Sequence, residues 1–183
     1  MMRMIIVAAG AVLMATPAAA QDPDFARFSA GPVMEIGPVA DIDTNVAIPA
    51  DAVFRVAFDI AEAQPSGVIN RAFVSPARLI NLHARAGVPA ERTIIALVVH
   101  GKAVHDLLRP DAYAARFEGA DNVNAAVIAA LMAQGVRVIV CGQSAAAYGI
   151  IESAEFLPGV EVQWSAMTAH ALLQQAGYTV NPF

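Results

Sequence analysis

The sequence has little charge and a single cysteine, Cys141, in 183 residues. Charged residues make up 15% of the chain, and the formal net charge is −5. A mildly acidic chain without a basic run is unsuited to nucleic acid or an anionic membrane surface, so we expect neither partner. A lone cysteine cannot form an internal disulfide. Cys141 is therefore a buried apolar residue, an intermolecular link or a reactive thiol.

Common binding motifs are also missing. The sequence contains no G-x-G-x-x-G and no P-loop, so nucleotide binding has no motif support. His100 and His105 are five positions apart, which matches no standard metal-binding spacing. With one cysteine and scattered carboxylates, we expect neither a metal nor a cofactor.

The first twenty residues have the features of a secretory signal peptide. Arg3 precedes an apolar run over residues 4–14, and the segment ends in three alanines. A membrane span needs about 20 apolar residues, so this run is too short to be an anchor. We predict cleavage after Ala20, a periplasmic or secreted location, and no membrane attachment afterwards.

The remaining chain divides into an arm and one domain. Residues 21–52 contain four prolines and no sustained period, which predicts an irregular arm on the domain or on a neighbouring subunit. Residues 53–183 alternate strand and helix patterns. Strands are expected at 53–58, 93–99, 136–141, 160–164 and 178–180, and helices at 75–86, 104–108, 111–117, 121–134, 145–151 and 166–176. Such alternation with short loops predicts an α/β fold with a parallel sheet.

Two strand ends carry polar residues, and parallel sheets bind ligands at such ends. His100 follows one apolar strand, and Cys141 closes another. If the two strands are neighbours, these side chains share one crevice. A helix beginning near Ser144 would favour the thiolate of Cys141, and Gly142 would let a ligand approach. Alternatively, Cys141 is only a buried strand residue and His100 binds a backbone carbonyl.

A second pattern at the same place approximates a serine-hydrolase elbow. Gly142-Gln143-Ser144-Ala145-Ala146 lies between a strand and a helix, and acidic residues and then His170 follow. Against this alternative, the last glycine of the motif is alanine, and a serine before a helix is commonly its N-cap. We otherwise expect His83 and His170 to be packing or surface residues.

Several segments in order resemble one protein family. They are His100-Gly101-Lys102-Ala103, Asp121-Asn122-Val123-Asn124, Val140-Cys141-Gly142-Gln143-Ser144, Leu157-Pro158-Gly159-Val160 and Ser165-Ala166-Met167-Thr168-Ala169. Over roughly residues 53–180 the chain resembles the DsrE/DsrF-like (YchN-like) proteins, and in particular their exported single-domain branch. The resemblance implies a three-layer α/β/α sandwich with a mainly parallel sheet of about five strands. It also implies assembly into trimers or hexamers.

The resemblance also suggests a chemistry for Cys141. Cytoplasmic members relay sulfur: a strand-end cysteine accepts a persulfide and passes it to a partner protein. Two departures stand out here. Tyr148-Gly149 replaces the arginine-glycine pair that relay members often carry, and Val123 replaces a proline of the exported branch. The first departure weakens the transfer of the relay role to this chain, and the second concerns only helix capping.

We therefore expect a persulfide carrier or thiol-exchange protein, with no more than sulfurtransferase-like activity and a protein sulfur donor or acceptor. Cys141 and His100 would carry the chemistry. The expected ligand-binding residues are Gly101, Lys102, Gly142, Gln143, Ser144 and Asn81. Two alternatives remain at this point: a non-catalytic small-ligand-binding module, and a structural oligomer with a buried cysteine.

Overall fold

A computed structural model describes residues 24–181 of the chain. The predicted signal peptide over residues 1–20 lies outside the described residues. Within the described range, no helix is both long enough and apolar enough to cross a membrane.

A five-stranded parallel sheet forms the centre of the domain, as the sequence pattern predicts. Two further short strands, β1 and β2, pair antiparallel in the N-terminal arm. The order of the central sheet is β6-β5-β4-β3-β7, and every neighbouring pair is parallel. The strands are β1 (Phe28–Ser29), β2 (Val39–Ala40), β3 (Phe54–Ile60), β4 (Thr93–Val99), β5 (Arg137–Cys141), β6 (Glu161–Gln163) and β7 (Thr179–Asn181).

Helices cover both faces of this sheet, so the three-layer prediction is confirmed. The helices are α1 (Arg71–Arg85), α2 (Pro110–Arg116), α3 (Ala125–Ala133), α4 (Gly142–Ala147) and α5 (Ala166–Gln175), with 3-10 segments at Phe25–Arg27, Ala90–Arg92, Gly101–Leu107 and Ser153–Glu155. The larger core lies on the face of α1 and α3 and includes Phe73, Leu97 and Ile128. On the other face, α5 packs with Ala169 and Leu173 over Val98 and its neighbours.

Three predicted helix starts are wrong by several residues. Helix α1 begins at Arg71 rather than at Ser75-Pro76, because the side chain of Asn70 accepts a hydrogen bond from Ala72 N. Pro76 therefore lies inside the helix. Helix α3 begins at Ala125 rather than near residue 121, and α4 already begins at Gly142 rather than at residue 145.

A buried polar cluster explains two of these starts. Asp106 accepts hydrogen bonds from Asn70 Nδ2 at 2.8 Å and Asn124 Nδ2 at 3.1 Å. Asn122 Nδ2 donates to the Asp106 carbonyl at 2.9 Å. Burial raises the pKa of Asp106 to about 6, although the two asparagine hydrogen bonds act in the opposite direction. The cluster joins the starts of α1 and α3 to the 3-10 segment Gly101–Leu107.

Asn81 holds the N-terminal arm to the domain. This fully buried side chain of α1 accepts hydrogen bonds from Val33 N and Met34 N, and it donates to the carbonyls of Met34, Ile36 and Gly37. Its hydrogen-bonding groups are thus occupied by backbone of residues 33–37. Since α1 covers the opposite face of the sheet from α5, the structure corrects the expectation that Asn81 contacts a ligand in the strand-end crevice.

Candidate functional site

The register of the sheet brings three polar side chains to one end. Val99 pairs with Val140, so His100 and Cys141 end neighbouring strands, as predicted. Asp59 lies near the end of β3, on the other side of β4. Because side chains alternate along a strand, Asp59, His100 and Cys141 share the face of Ala57, Val98 and Ile139, which α5 covers.

Hydrogen bonds at two helix starts stabilise the thiolate of Cys141. The residue is 5% exposed, and Ser144 N donates to its sulfur at 3.4 Å. Burial raises the pKa of the thiol, but hydrogen bonds from the Ser144 hydroxyl and from the amides of Ser144, Ala166 and Gln143 outweigh it and lower the pKa. Ser144 and Gln143 belong to α4, and Ala166 is the first residue of α5. The starts of both helices therefore direct backbone amides at the sulfur.

The hydroxyl of Ser144 is already engaged in the structure. Its oxygen accepts a hydrogen bond from Gly101 N at 3.1 Å, which joins the loop after β4 to the start of α4. His170, the histidine that a hydrolase triad would require, instead lies 2.7 Å from Asp59. The structure therefore does not assemble a serine-hydrolase triad at Ser144.

Asp59 and His170 are the site residues that the sequence analysis missed. His100 Nε2 is 3.1 Å and 3.2 Å from the two carboxylate oxygens of Asp59, and His170 Nε2 is 2.7 Å from Oδ1. Burial raises the pKa of Asp59, whereas the hydrogen bonds and charges of both histidines lower it, and the net pKa lies below its ordinary value. The carboxylate is therefore ionised at neutral pH. A useful signal was available in the sequence, since Asp59 lies at the end of an apolar strand.

Two glycines allow the backbone to close around this site. Gly101 has φ +54°, and a Cβ there would lie 2.7 Å from the carbonyl oxygen of Ala61. At Gly142 a Cβ would lie 3.0 Å from the carbonyl oxygen of Gln163. A side chain at either position would therefore push these backbone segments apart.

Comparison with known proteins agrees with this fold. The model of the DsrE/DsrF-like family matches residues 52–182. The chain belongs to the DsrE/DsrF-like family. A protein of unknown function, MTH1491 from Methanobacterium thermoautotrophicum, is 24% identical over 71% of this chain and 99% of its own, with a TM-score of 0.53. The ychN protein from E. coli is 20% identical over 72% of this chain and 100% of its own, with a TM-score of 0.50. A comparison with curated proteins finds no match.

In this DsrE/DsrF-like chain, a pocket of about 350 Å³ adjoins the cysteine loop. Its lining includes Gly142, Gln143 and Trp164. Gln143 is exposed, so its side chain is accessible from solvent. Lys102 is exposed on the segment after His100. A second groove of about 400 Å³ lies between the arm and α3, and it is mainly apolar and remote from Cys141.

The polar side chains around Cys141 bind one another rather than surrounding an open metal site. Across residues 24–181, no group of three or more His, Cys, Asp or Glu is arranged to hold a metal ion. The arrangement offers instead a thiol whose pKa is lowered, backbone amides aimed at its sulfur, and two imidazoles on one carboxylate. These groups suit thiol chemistry.

Proposed function

We propose that this DsrE/DsrF-like protein carries sulfur as a persulfide on Cys141, or exchanges it with other thiols, outside the cytoplasm. The observation that carries the proposal is the place of Cys141 at the end of β5, where Ser144 N donates to its sulfur at 3.4 Å and such hydrogen bonds lower its pKa. A thiolate is the nucleophilic form of cysteine. A carrier needs one thiol only, whereas a dithiol oxidoreductase needs a resolving partner. Cys141 is the single cysteine of the chain.

Alkylation kinetics test the thiolate directly. The rate of iodoacetamide labelling, followed by intact mass from about pH 5 to about pH 10, should give a thiol pKa below the free-cysteine value of about 8.5. Cys141→Ser is the matched control and should not label. A pKa at or above that reference, with a folded protein that resists labelling, would contradict the proposal.

Sulfur loading tests the carrier function itself. The protein purified from its native compartment should contain a fraction that is heavier by one sulfur atom. Dithiothreitol should remove this mass, and Cys141→Ser should never show it. The same mass spectra test the location, because export with cleavage after Ala20 gives a mature chain beginning at Gln21.

A non-catalytic ligand-binding module is the second candidate. The pocket beside Gly142 and Gln143 supports it, because a small molecule could bind there without reacting with Cys141. The two functions differ in their dependence on the sulfur. A ligand found with the purified protein that still binds Cys141→Ser with unchanged affinity would favour the binding module.

We also propose a homo-oligomer, a trimer or hexamer, that forms through the surface of β6 and α5. Trp164 and Met167 on this surface are 80% and 81% exposed, and Val162 and Leu172 are about half exposed. Exposed apolar side chains in such a group are typical of protein interfaces. Light scattering should give a mass of three or six chains, and Trp164→Glu should lower it. A stable wild-type monomer would overturn this proposal.

A further inference from the structure

The carboxylate of Asp59 determines which ring nitrogens of two histidines carry protons. An ionised carboxylate accepts hydrogen bonds and donates none. His100 Nε2 and His170 Nε2 both lie within hydrogen-bonding distance of it, so each carries a proton. Nδ1 is therefore the ring atom of each imidazole that gains or loses a proton. A hydrogen bond to a neighbouring carboxylate commonly fixes the tautomer of a histidine in this way.

Helix α5 connects this histidine pair to the cysteine. Its first amide, that of Ala166, donates to the sulfur of Cys141. His170 lies four positions later, which is one turn along the same face of the helix. Its side chain is 17% exposed, and its Nδ1 is buried without a hydrogen-bond partner in the described part of the chain. Among residues 24–181, the His170 ring thus forms a hydrogen bond only to Asp59, which fixes the carboxylate from the helix side.

We propose that Asp59 is a positioning residue that, held by His170, orients His100 as the proton donor to Cys141 during sulfur transfer. This inference rests on the proposed carrier function. Strand β4 lies between β3 and β5, so His100 lies between Asp59 and Cys141. Val99 pairs with Val140 and neighbouring strands are about 4.8 Å apart, so the next residues, His100 and Cys141, lie side by side at the same end of the sheet.

The transfer step is balanced without an oxidant. The thiolate of an acceptor, either a protein cysteine or a small thiol, attacks the outer sulfur of the Cys141 persulfide anion. A new S–S bond forms on the acceptor, and the S–S bond to Cys141 breaks. Its electron pair goes to Sγ, which takes the proton of the His100 imidazolium. The products are the acceptor persulfide anion, the Cys141 thiol and neutral His100, and the transferred sulfur keeps its oxidation state.

The titratable groups that meet here come from four elements. They are Asp59 on β3, His100 directly after β4, Cys141 on β5 and His170 on α5. Lys102 is exposed on the segment after β4. Since the donor in the step is an imidazolium, transfer should slow as the pH rises and the donor loses its proton.

Single-turnover transfer to glutathione tests this role. Cys141 is first loaded with sulfur from inorganic polysulfide, and the loss of the added mass is followed at several pH values. Rates are compared at equal glutathione thiolate concentration. The wild type should lose rate as the pH rises. Asp59→Asn should transfer about tenfold more slowly near pH 6 and with a flatter pH profile, because an amide no longer fixes the tautomer. His170→Gln should show a smaller effect, and His83→Gln is the histidine control outside the cluster.

Long-range proton–nitrogen NMR spectra of the histidine rings give a second readout that needs no sulfur. The wild type should show Nε2–H at His100 and His170, and Asp59→Asn should lose this preference at His100. Equal pH profiles in wild type and Asp59→Asn, or the Nδ1–H tautomer at His100 in the wild type, would overturn the inference. If Cys141 does not load with sulfur, the carrier function fails, and the tautomer spectra alone still decide whether Asp59 positions His100.

Discussion

The buried carboxyl of Asp106 makes the stability of the domain dependent on pH. Its pKa is raised from 3.8 to about 6 by burial. The folded protein therefore holds the proton more tightly than the unfolded chain does. The stabilisation is fully present below about pH 3.8 and is lost as the pH rises through about 6. At about 1.36 kcal/mol per pKa unit, this group should cost about 3 kcal/mol of unfolding free energy by neutral pH.

Asp106→Asn removes the titration and leaves the side-chain size almost unchanged. The amide nitrogen of the variant would face the Nδ2 donors of Asn70 or Asn124, at a cost of about 1–3 kcal/mol that does not depend on pH. Relative to the wild type, the unfolding free energy of the variant should therefore rise by about 2 kcal/mol between about pH 4 and about pH 7.5. Other titrating groups cancel in this difference.

Urea denaturation at each pH measures the effect. Far-UV circular dichroism is the appropriate probe, because Trp164 is 80% exposed and its fluorescence would report unfolding poorly. The unfolding free energy should fall with urea concentration at the same slope in both proteins, as expected if both unfold in comparable two-state transitions. A difference between the two proteins that stays constant across the pH range would refute the claim that burial keeps the proton on Asp106.

Three further substitutions test other parts of the structure. Asn81→Ala removes the five hydrogen bonds to the arm and should lower the unfolding free energy by about 2–4 kcal/mol. Amide exchange across residues 33–37 should become faster. Exchange that stays as slow as in wild type would contradict this anchoring role. Gly101→Ala should destabilise the domain more than Gly87→Ala, because both glycines have positive φ but a Cβ meets the backbone only at Gly101. Similar melting temperatures for the two would argue against that contact. Ser144→Ala should raise the pKa of Cys141 measured by alkylation, because the Ser144 hydroxyl helps to lower that pKa. An unchanged alkylation profile would contradict this role of the hydroxyl.

The sequence predicts those parts of the site that local patterns and topology determine. The apolar runs that end at Val99 and Cys141 predict central strands, and a parallel sheet then places His100 and Cys141 at one edge. The sequence does not predict the contact between Asp59 and His170. These residues are 111 positions apart, and no local pattern encodes their hydrogen bond. His170 alone therefore resembles an ordinary helix residue.

The start of α1 and the role of Asn81 escape prediction for a related reason. Asn70 caps α1, but its own amide donates to Asn124, which is 54 positions away. Ser75-Pro76 satisfies a local capping pattern, but within residues 24–181 it has no such distant partner. Asn81 looks like one more polar residue on a helix, and only the folded arm shows that the backbone of residues 33–37 binds it. Local propensity cannot anticipate hydrogen bonds that form after the chain has folded.

The attachment of the arm to Asn81 has a consequence for the limits of the folding unit. The family match begins at residue 52, after the arm. A chain shortened to that boundary would lack the backbone that binds Asn81. The Asn81 amide would then face solvent, and the neighbouring apolar residues would be uncovered. Such a chain would contain every residue of the cysteine site and still lack part of its own core. The segment shared by relatives is thus shorter than the segment that must fold together.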